Sequence, residues 1–329
     1  MDSALVVGGT RFVGRHLVDY LLDHGYTVTL FNRGTHENPF ADHDDVDHVQ
    51  GDRTVKTDLQ AAAMTTDYDA VFDVVAYHPE DVETAVDVFA DAEAYVYVSS
   101  GAAYGDEVIP KREGETGLKP CTPAQATDDS DDTYGARKAE GDRVVFAAAD
   151  RGVRAMSVRP CVVYGPHDYT ERTDYWLARV RDHDRVLIPG DGTNVWHRVY
   201  APDVARAMRL VAESGEAGEA YNVGDRRLTT LAEYVDLAAD AMGTDVEVVT
   251  AGERALAAGD LVPTEFPLYR SYPHVMSTAK LAALGWESTP LATAMLDTAA
   301  EHRESDRDGS EVGPSREREE RVLGVLDTV

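Results

Sequence analysis

Short apolar runs alternate with amphipathic stretches over most of the chain. Residues 4–7 are four apolar positions in a row, the pattern of a short buried strand. Gly8 and Gly9 follow, then Phe12, Val13, Leu17, Tyr20 and Leu21 at helical spacing. The alternation continues, with strands over 26–31, 47–51, 70–76, 94–98 and 154–159 and helices over 59–64, 81–90 and 132–150. Within 81–90 one face is apolar, formed by Val82, Ala85, Val86 and Phe89. Beyond residue 160 the pattern predicts helices over 175–181, 202–211, 231–242, 281–284 and 291–300, and strands over 186–188, 220–223 and 246–249. Residues 303–315 are charged with Gly, Ser and Pro and read as a linker, and 317–326 as a last short helix. The segments 36–45 and 106–131 are polar and read as loops. A loop as long as the second is usually functional or mobile.

Strands separated by helices predict an α/β fold built on a doubly wound parallel sheet, with a smaller C-terminal substrate-binding cap. Residues 1–165 with 197–225 make up the expected sheet domain, 166–196 with 226–303 the cap, and 304–329 a charged tail. Ligands of such sheets collect at the carboxyl ends of the strands, here facing the cap.

The turn after the first strand carries chemistry. A strand, a glycine turn and a helix in that order form the phosphate-binding start of a dinucleotide (Rossmann) fold. Gly8 allows the tight turn, the helix N-terminus favours a pyrophosphate, and Gly14 lets helix and strand pack closely. In a G-x-x-G-x-x-G pattern starting at Gly8, the middle glycine is replaced by Arg11. That arginine must turn its side chain aside or onto the phosphate. The alternative is a glycine-rich turn of some other α/β protein, but a second parallel-sheet unit follows at once. About 20 residues past such a loop an acid normally holds the ribose 2′-OH of NAD. Asn32 and Arg33 stand there instead, which suits a 2′-phosphate and favours NADP over NAD, unless Arg33 is a plain turn residue. Asp52 follows the third strand and can accept from an adenine amino group or serve as a turn aspartate.

Composition changes the picture in one respect. The 329 residues carry 60 acids against 31 Lys and Arg, a formal net charge of -29. The acid is spread through the whole chain, which fits adaptation to high salt better than an acidic tail for a basic partner. Nucleic acid is disfavoured as a ligand, because phosphate binding needs clustered cations. The hydrophobic fraction of 43% supports an ordinary core. No run of 18 apolar residues occurs, and no basic segment precedes an apolar stretch at the start, so neither a membrane span nor a signal peptide is expected. Cys121 and Cys161 sit in unlike contexts, so no disulfide framework or metal site is expected. A cytoplasmic protein is the resulting expectation.

Two stretches suggest catalysis. The strand over 94–98 delivers Ser99-Ser100-Gly101-Ala102-Ala103-Tyr104-Gly105 to the ligand edge of the sheet. The helix after the long loop carries Tyr134 and Lys138 at i and i+4, on one face. An unperturbed tyrosine ionises near 10, too high for a base at neutral pH, and a neighbouring cation favours its phenolate. Tyr77-His78-Pro79 lies beyond another strand end, where His78 lines a site or is only a loop residue.

These residues occur in a known order. The Gly-Gly-Thr-Arg-Phe-Val-Gly loop, Ser-Ser before Ala-Tyr-Gly, Tyr134 with Lys138, Arg159-Pro160 leading to Val163-Tyr164-Gly165-Pro166, and Tyr221-Asn222-Val223-Gly224 together resemble the extended short-chain dehydrogenase/reductases, the NAD-dependent epimerase/dehydratase group. The resemblance spans roughly 3–300. The arginine in the loop is similar to an atypical branch that includes the chloroplast stem-loop RNA-binding proteins. The resemblance implies that Tyr134 is the general acid/base, that Lys138 holds the nicotinamide ribose and lowers the Tyr134 pKa, and that Ser100 orients the reacting oxygen. It implies cofactor contacts from Gly8, Thr10, Arg11, Phe12, Val13, Gly14, Asn32, Arg33, Asp52, Arg53, Ala76, Tyr134, Lys138 and Pro160. The implied function is hydride transfer, with NADP or NAD, at a secondary alcohol or ketone of a small molecule such as a sugar or sugar nucleotide. Epimerase, dehydratase and reductase all remain open, as does a homodimer. The competing reading is a non-catalytic dinucleotide-binding regulator or RNA-associated protein. Two departures cut against a nucleotide sugar: Val162 stands where an asparagine is common, and Trp196 where an arginine is expected to hold the diphosphate.

Overall fold

Seven parallel strands form the main sheet of this chain, and their order is not their sequence order. The structure is a computed structural model describing residues 1–328. Its elements begin with β1 (Ser3–Val7), α1 (Phe12–Leu22), β2 (Thr27–Asn32), β3 (Val46–Gln50), α2 (Lys56–Ala63), β4 (Ala70–Asp73), α3 (Pro79–Val88) and β5 (Ala94–Val98). They continue with α4 (Pro123–Ala126), α5 (Asp131–Asp150), β6 (Ala155–Pro160), β7 (Val162–Tyr164), α6 (Arg172–Asp182), β8 (Arg185–Pro189), β9 (Arg198–Tyr200), α7 (Ala201–Ser214) and β10 (Ala220–Val223). The remainder comprises α8 (Leu231–Met242), β11 (Glu247–Ala251), α9 (Glu253–Leu256), α10 (Ala279–Ala283), α11 (Leu291–Glu304) and α12 (Arg316–Leu326).

The chain divides into two units. The first comprises residues 1–161, 201–224 and 276–287. Its sheet runs β10-β6-β5-β4-β1-β2-β3, with every neighbour parallel. β1, β4 and β5 are buried along nearly their whole length, as both-face coverage by helices requires. β3 at the edge keeps Asp47, His48 and Gln50 exposed, which blunts further pairing. The strand order reverses between β1 and β4, and at such a switch point the carboxyl ends leave a crevice. α1 buries Phe12, Leu17, Val18 and Leu21, and a Cβ on Gly14 would run into the Gly8 carbonyl oxygen, so only glycine permits this approach. The β4 strand stops at Asp73, short of the 70–76 expected, and Asp73 is fully buried, accepting from Arg53 and Tyr95.

The second unit comprises residues 162–200, 225–275 and 288–329. It holds two small parallel pairs, β7 with β9 and β8 with β11. Its core includes Tyr175, Trp176, Leu187, Tyr234, Val235, Phe266, Met295 and Val322. Three boundaries differ from the sequence expectation. β7 and β9 pair with each other, so both go to this unit. Residues 276–287 go to the first unit, where Trp286 Nε1 donates to the Asp203 carbonyl at 3.0 Å and Lys280 Nζ to the Ala220 carbonyl at 2.9 Å. Residues 304–328 are not a separate charged tail. Glu319 of α12 is fully buried, accepting from Tyr175 Oη at 2.5 Å and Arg179 Nε at 2.9 Å, while Val322 packs in the core. Gly309 N–H, within the expected linker, donates to Glu171 at 3.1 Å. No helix among the described residues is long and apolar enough to cross a membrane.

Candidate active site

The site lies in the first unit, at the carboxyl ends of β1, β4 and β5. Ser100 follows β5 and opens a short 3-10 turn, where its Oγ accepts from the Ala102 N–H at 3.1 Å. That leaves the hydroxyl proton for another acceptor. α5 packs directly on this turn, since a Cβ on Gly135 would run into the Ala102 carbonyl oxygen. The residue before Gly135 is Tyr134, half-buried, and one helical turn on is Lys138. The helix thus brings Ser100, Tyr134 and Lys138 to one edge of the sheet.

Lys138 is 2% exposed. Its Nζ donates to the Ala76 carbonyl at 2.7 Å and the Val98 carbonyl at 2.8 Å, and an ammonium has three donors, so one remains. The same Nζ lies 5.7 Å from the Tyr134 ring centroid, 4.9 Å from that of Tyr97 and 5.1 Å from that of Tyr77. Burial pulls its pKa down to about 8, against the opposing pull of Asp73 and Asp142. Arg137, which sequence reasoning passed over, fastens α5 to the β4–α3 connection, donating to the Tyr77 carbonyl at 3.1 Å and the Ser130 carbonyl at 3.1 Å. The His78 ring is engaged within the protein. It caps α3 and reaches the Ala126 carbonyl at 3.0 Å and Asp129 Oδ1 at 2.9 Å, which ties down the loop before α5.

The depressed lysine makes a stability prediction. The unfolded chain keeps this proton up to the ordinary lysine value of 10.5, while the folded chain releases it near 8. Between those values the unfolded state binds more protons, so stability rises with pH through this window. At about 1.4 kcal/mol per pKa unit the full effect is roughly 3 kcal/mol. Denaturant midpoints of the wild type and Lys138→Met, taken from pH 7.5 to 10.5, should therefore diverge in favour of the wild type as pH rises. Parallel profiles would show that Lys138 is not buried as a cation.

Beside the glycine loop, Thr10 and Arg11 line a cavity of about 460 Å³ with Arg15, His36, Glu37 and Pro39. Phe12 is buried at φ 40, and Val13 is half-buried. Asn32 Oδ1 accepts from the Gly34 N–H at 2.8 Å, while its buried Nδ2 has no partner. Arg33 is exposed. Asp52 accepts from the Thr54 N–H at 3.0 Å and hydroxyl at 2.8 Å, bonds that hold its carboxyl below the usual range. Ala76 and Pro160 are buried at their strand ends, and the Ala76 carbonyl is already used by Lys138. The Arg53 guanidinium turns inward to Asp73 and to Asp81 Oδ1 at 2.8 Å, so its charge is spent on two buried carboxylates.

Comparison with known proteins fits this geometry. A family model described as the NAD dependent epimerase/dehydratase family matches residues 4–224, more than half of the chain. The chain belongs to that family. It is 26% identical over 241 residues to the chloroplast stem-loop binding protein of 41 kDa b of Arabidopsis thaliana, a match covering 69% of this chain and 59% of that protein. It is also 26% identical over 315 residues to the low-salt glycan biosynthesis protein Agl12 of Haloferax volcanii, covering 87% of this chain and 93% of that one. Among solved structures, the dTDP-glucose 4,6-dehydratase of Bacillus anthracis in complex with NAD superposes with TM-score 0.72 at 20% identity, over 93% of this chain and 98% of that chain. The UDP-glucose 4-epimerase of Thermus thermophilus, also with NAD, gives 0.70 at 23% identity, over 92% of this chain and 99% of its own. These structures share the fold.

Proposed function

We propose that the protein is an oxidoreductase that uses a nicotinamide dinucleotide to remove or return hydride at a secondary alcohol or ketone of a small molecule. The observation that carries this reading is Lys138, a buried ammonium held by two carbonyls beside the Tyr134 ring, with a donor to spare. Burial disfavours its charged form, and its two carbonyl bonds still leave a donor pointing to a further acceptor.

The residues at β1, α1 and β2 suit the cofactor. The glycine-only approach at Gly14 leaves the α1 N-terminus open to a pyrophosphate, and Asn32 Nδ2 is a buried donor awaiting an acceptor. When bound, the nicotinamide accepts or supplies the hydride. Tyr134 takes or gives the hydroxyl proton of the substrate, Lys138 stabilises the phenolate and hydrogen-bonds the nicotinamide ribose, and the Ser100 hydroxyl donates to the reacting oxygen. NADP is favoured over NAD, since no carboxylate stands at the end of β2 to hold a ribose 2′-OH.

The relatives' names point towards nucleotide sugars. Two positions point away: Val162 is buried in the apolar core of the second unit, and the Trp196 ring packs under the Arg270 guanidinium at 5.6 Å. Neither supplies the polar contact expected there, so the substrate class we favour is a sugar or other secondary alcohol, with nucleotide sugars tested beside it.

The test combines reduced-cofactor fluorescence with product analysis. The protein is expected to bind NADPH and to convert at least one member of a panel of sugars, ketones and nucleotide sugars. Product should be followed by NMR as well as by nicotinamide absorbance, because an epimerase or dehydratase returns its hydride. Cofactor binding with no product from the whole panel favours the dinucleotide-binding regulator. Failure to bind any nicotinamide cofactor rejects the reading.

A further inference from the structure

We infer that the cavity beside the glycine loop is a phosphomonoester site, in which Arg11 and Arg15 hold the 2′-phosphate of an adenine dinucleotide. This deepens the cofactor reading above and rests on it.

The cavity of about 460 Å³ is lined by Thr10, Arg11, Arg15, His36, Glu37 and Pro39. Two guanidiniums and an imidazole face a single carboxylate there. In a chain of net charge -29, cations this concentrated are out of keeping with the general surface. Arg11 is the extended residue before α1 and Arg15 lies in its first turn, and both line the cavity. The helix N-terminus adds its dipole in the same direction. Arg15 Nε is closed to solvent, so an anion in the cavity meets Arg15 through its terminal nitrogens. Arg11 Nη1 lies 3.3 Å from His36 Nε2, and since a guanidinium only donates, the imidazole accepts here. Glu37 is the one acid in the wall and is exposed, while Asp19, one turn further along α1, also acts on Arg15.

Arg33, the residue that sequence spacing points to, is placed differently. It does not line the cavity, and its charge acts on Asp52 at the end of β3. The phosphate contact therefore moves from Arg33 to the pair on α1.

Calorimetric titration tests this with 2′,5′-ADP, 5′-AMP and inorganic phosphate at fixed ionic strength. Wild type should bind 2′,5′-ADP at least about tenfold tighter than 5′-AMP, the return of one charge-assisted bond. Arg11→Ala and Arg15→Ala should each lose about ten- to a hundredfold for 2′,5′-ADP and little for 5′-AMP. Arg33→Ala should lose little for either. Arg15→Lys, which keeps the charge, should fall between Arg15→Ala and wild type. Equal wild-type affinity for 2′,5′-ADP and 5′-AMP overturns the inference but leaves the dinucleotide reading intact. A selective loss in Arg33→Ala alone overturns it in favour of Arg33. Inorganic phosphate binding as tightly as 2′,5′-ADP overturns it in favour of a free-phosphate site. Binding of none of these probes, nor of NADH, rejects the underlying reading itself.

Discussion

Tyr134→Phe is expected to lower turnover by about 10²–10⁴-fold, the usual contribution of a general acid/base, with cofactor affinity nearly unchanged. The substitution removes only the phenolic oxygen. The ring that packs 5.7 Å from Lys138 Nζ stays, and so do the lysine's bonds to the Ala76 and Val98 carbonyls. The catalytic loss is therefore separable from misfolding. Oxidation should accelerate with pH as the general base loses its proton. Tyr134→Phe should lack that rising limb. Lys138→Met should lose both rate and cofactor affinity, since its remaining donor is assigned to the ribose. Steady-state rates and NADPH titrations, run at the high ionic strength that so acidic a surface favours, check all three. Full activity in Tyr134→Phe would remove the tyrosine from the chemistry.

The central strands and the glycine loop were readable from periodicity, because a strand covered on both faces is an unbroken apolar run and Gly14 has a local steric cause. Tyr134 and Lys138 were readable for the same kind of reason, since i,i+4 spacing is a local property of one helix. What escaped is the pairing between distant segments. Nothing in Gly-Asp-Arg-Thr at 51–54 says that Arg53 turns towards Asp73 and Asp81, 20 and 28 residues away. His36 read as part of a polar loop, and only the fold sets it against Arg11, though the i,i+4 relation of Arg11 and Arg15 was a signal in plain view. α12 reads as a charged surface helix, yet Glu319 is buried because Arg179, Arg316 and Tyr175 meet it there. Ion pairs of this sort have no period, so a charged residue with a buried partner looks the same in the sequence as one in water.

Arg159→Met is the second large effect, and it falls on stability. Arg159 at the end of β6 is 2% exposed, and its Nε donates to Asp142 Oδ2 at 2.8 Å on the fully buried side of α5. Its Nη1 donates to Tyr104 Oη at 3.0 Å, and that hydroxyl donates to Asn222 Oδ1 at 2.8 Å on β10. The Asn222 N–H in turn donates to Glu113 at 2.7 Å, within the long polar loop. One guanidinium therefore joins α5, two strands and the loop that follows β5. Methionine keeps much of the volume but leaves Asp142 charged, buried and without its cation. Breaking one half of a buried pair costs about 3–5 kcal/mol, whereas replacing both halves by apolar groups is often neutral. Denaturant unfolding should show a loss of that size for Arg159→Met, and most of it should return in Arg159→Met combined with Asp142→Leu. The double variant should still turn over more slowly than wild type, because Tyr104 loses its donor and the turn bearing Ser100 loses a tether. A loss below about 1 kcal/mol in the single variant, the range of a solvated surface pair, would mean that water reaches Asp142 and that α5 is held against the sheet by apolar packing alone.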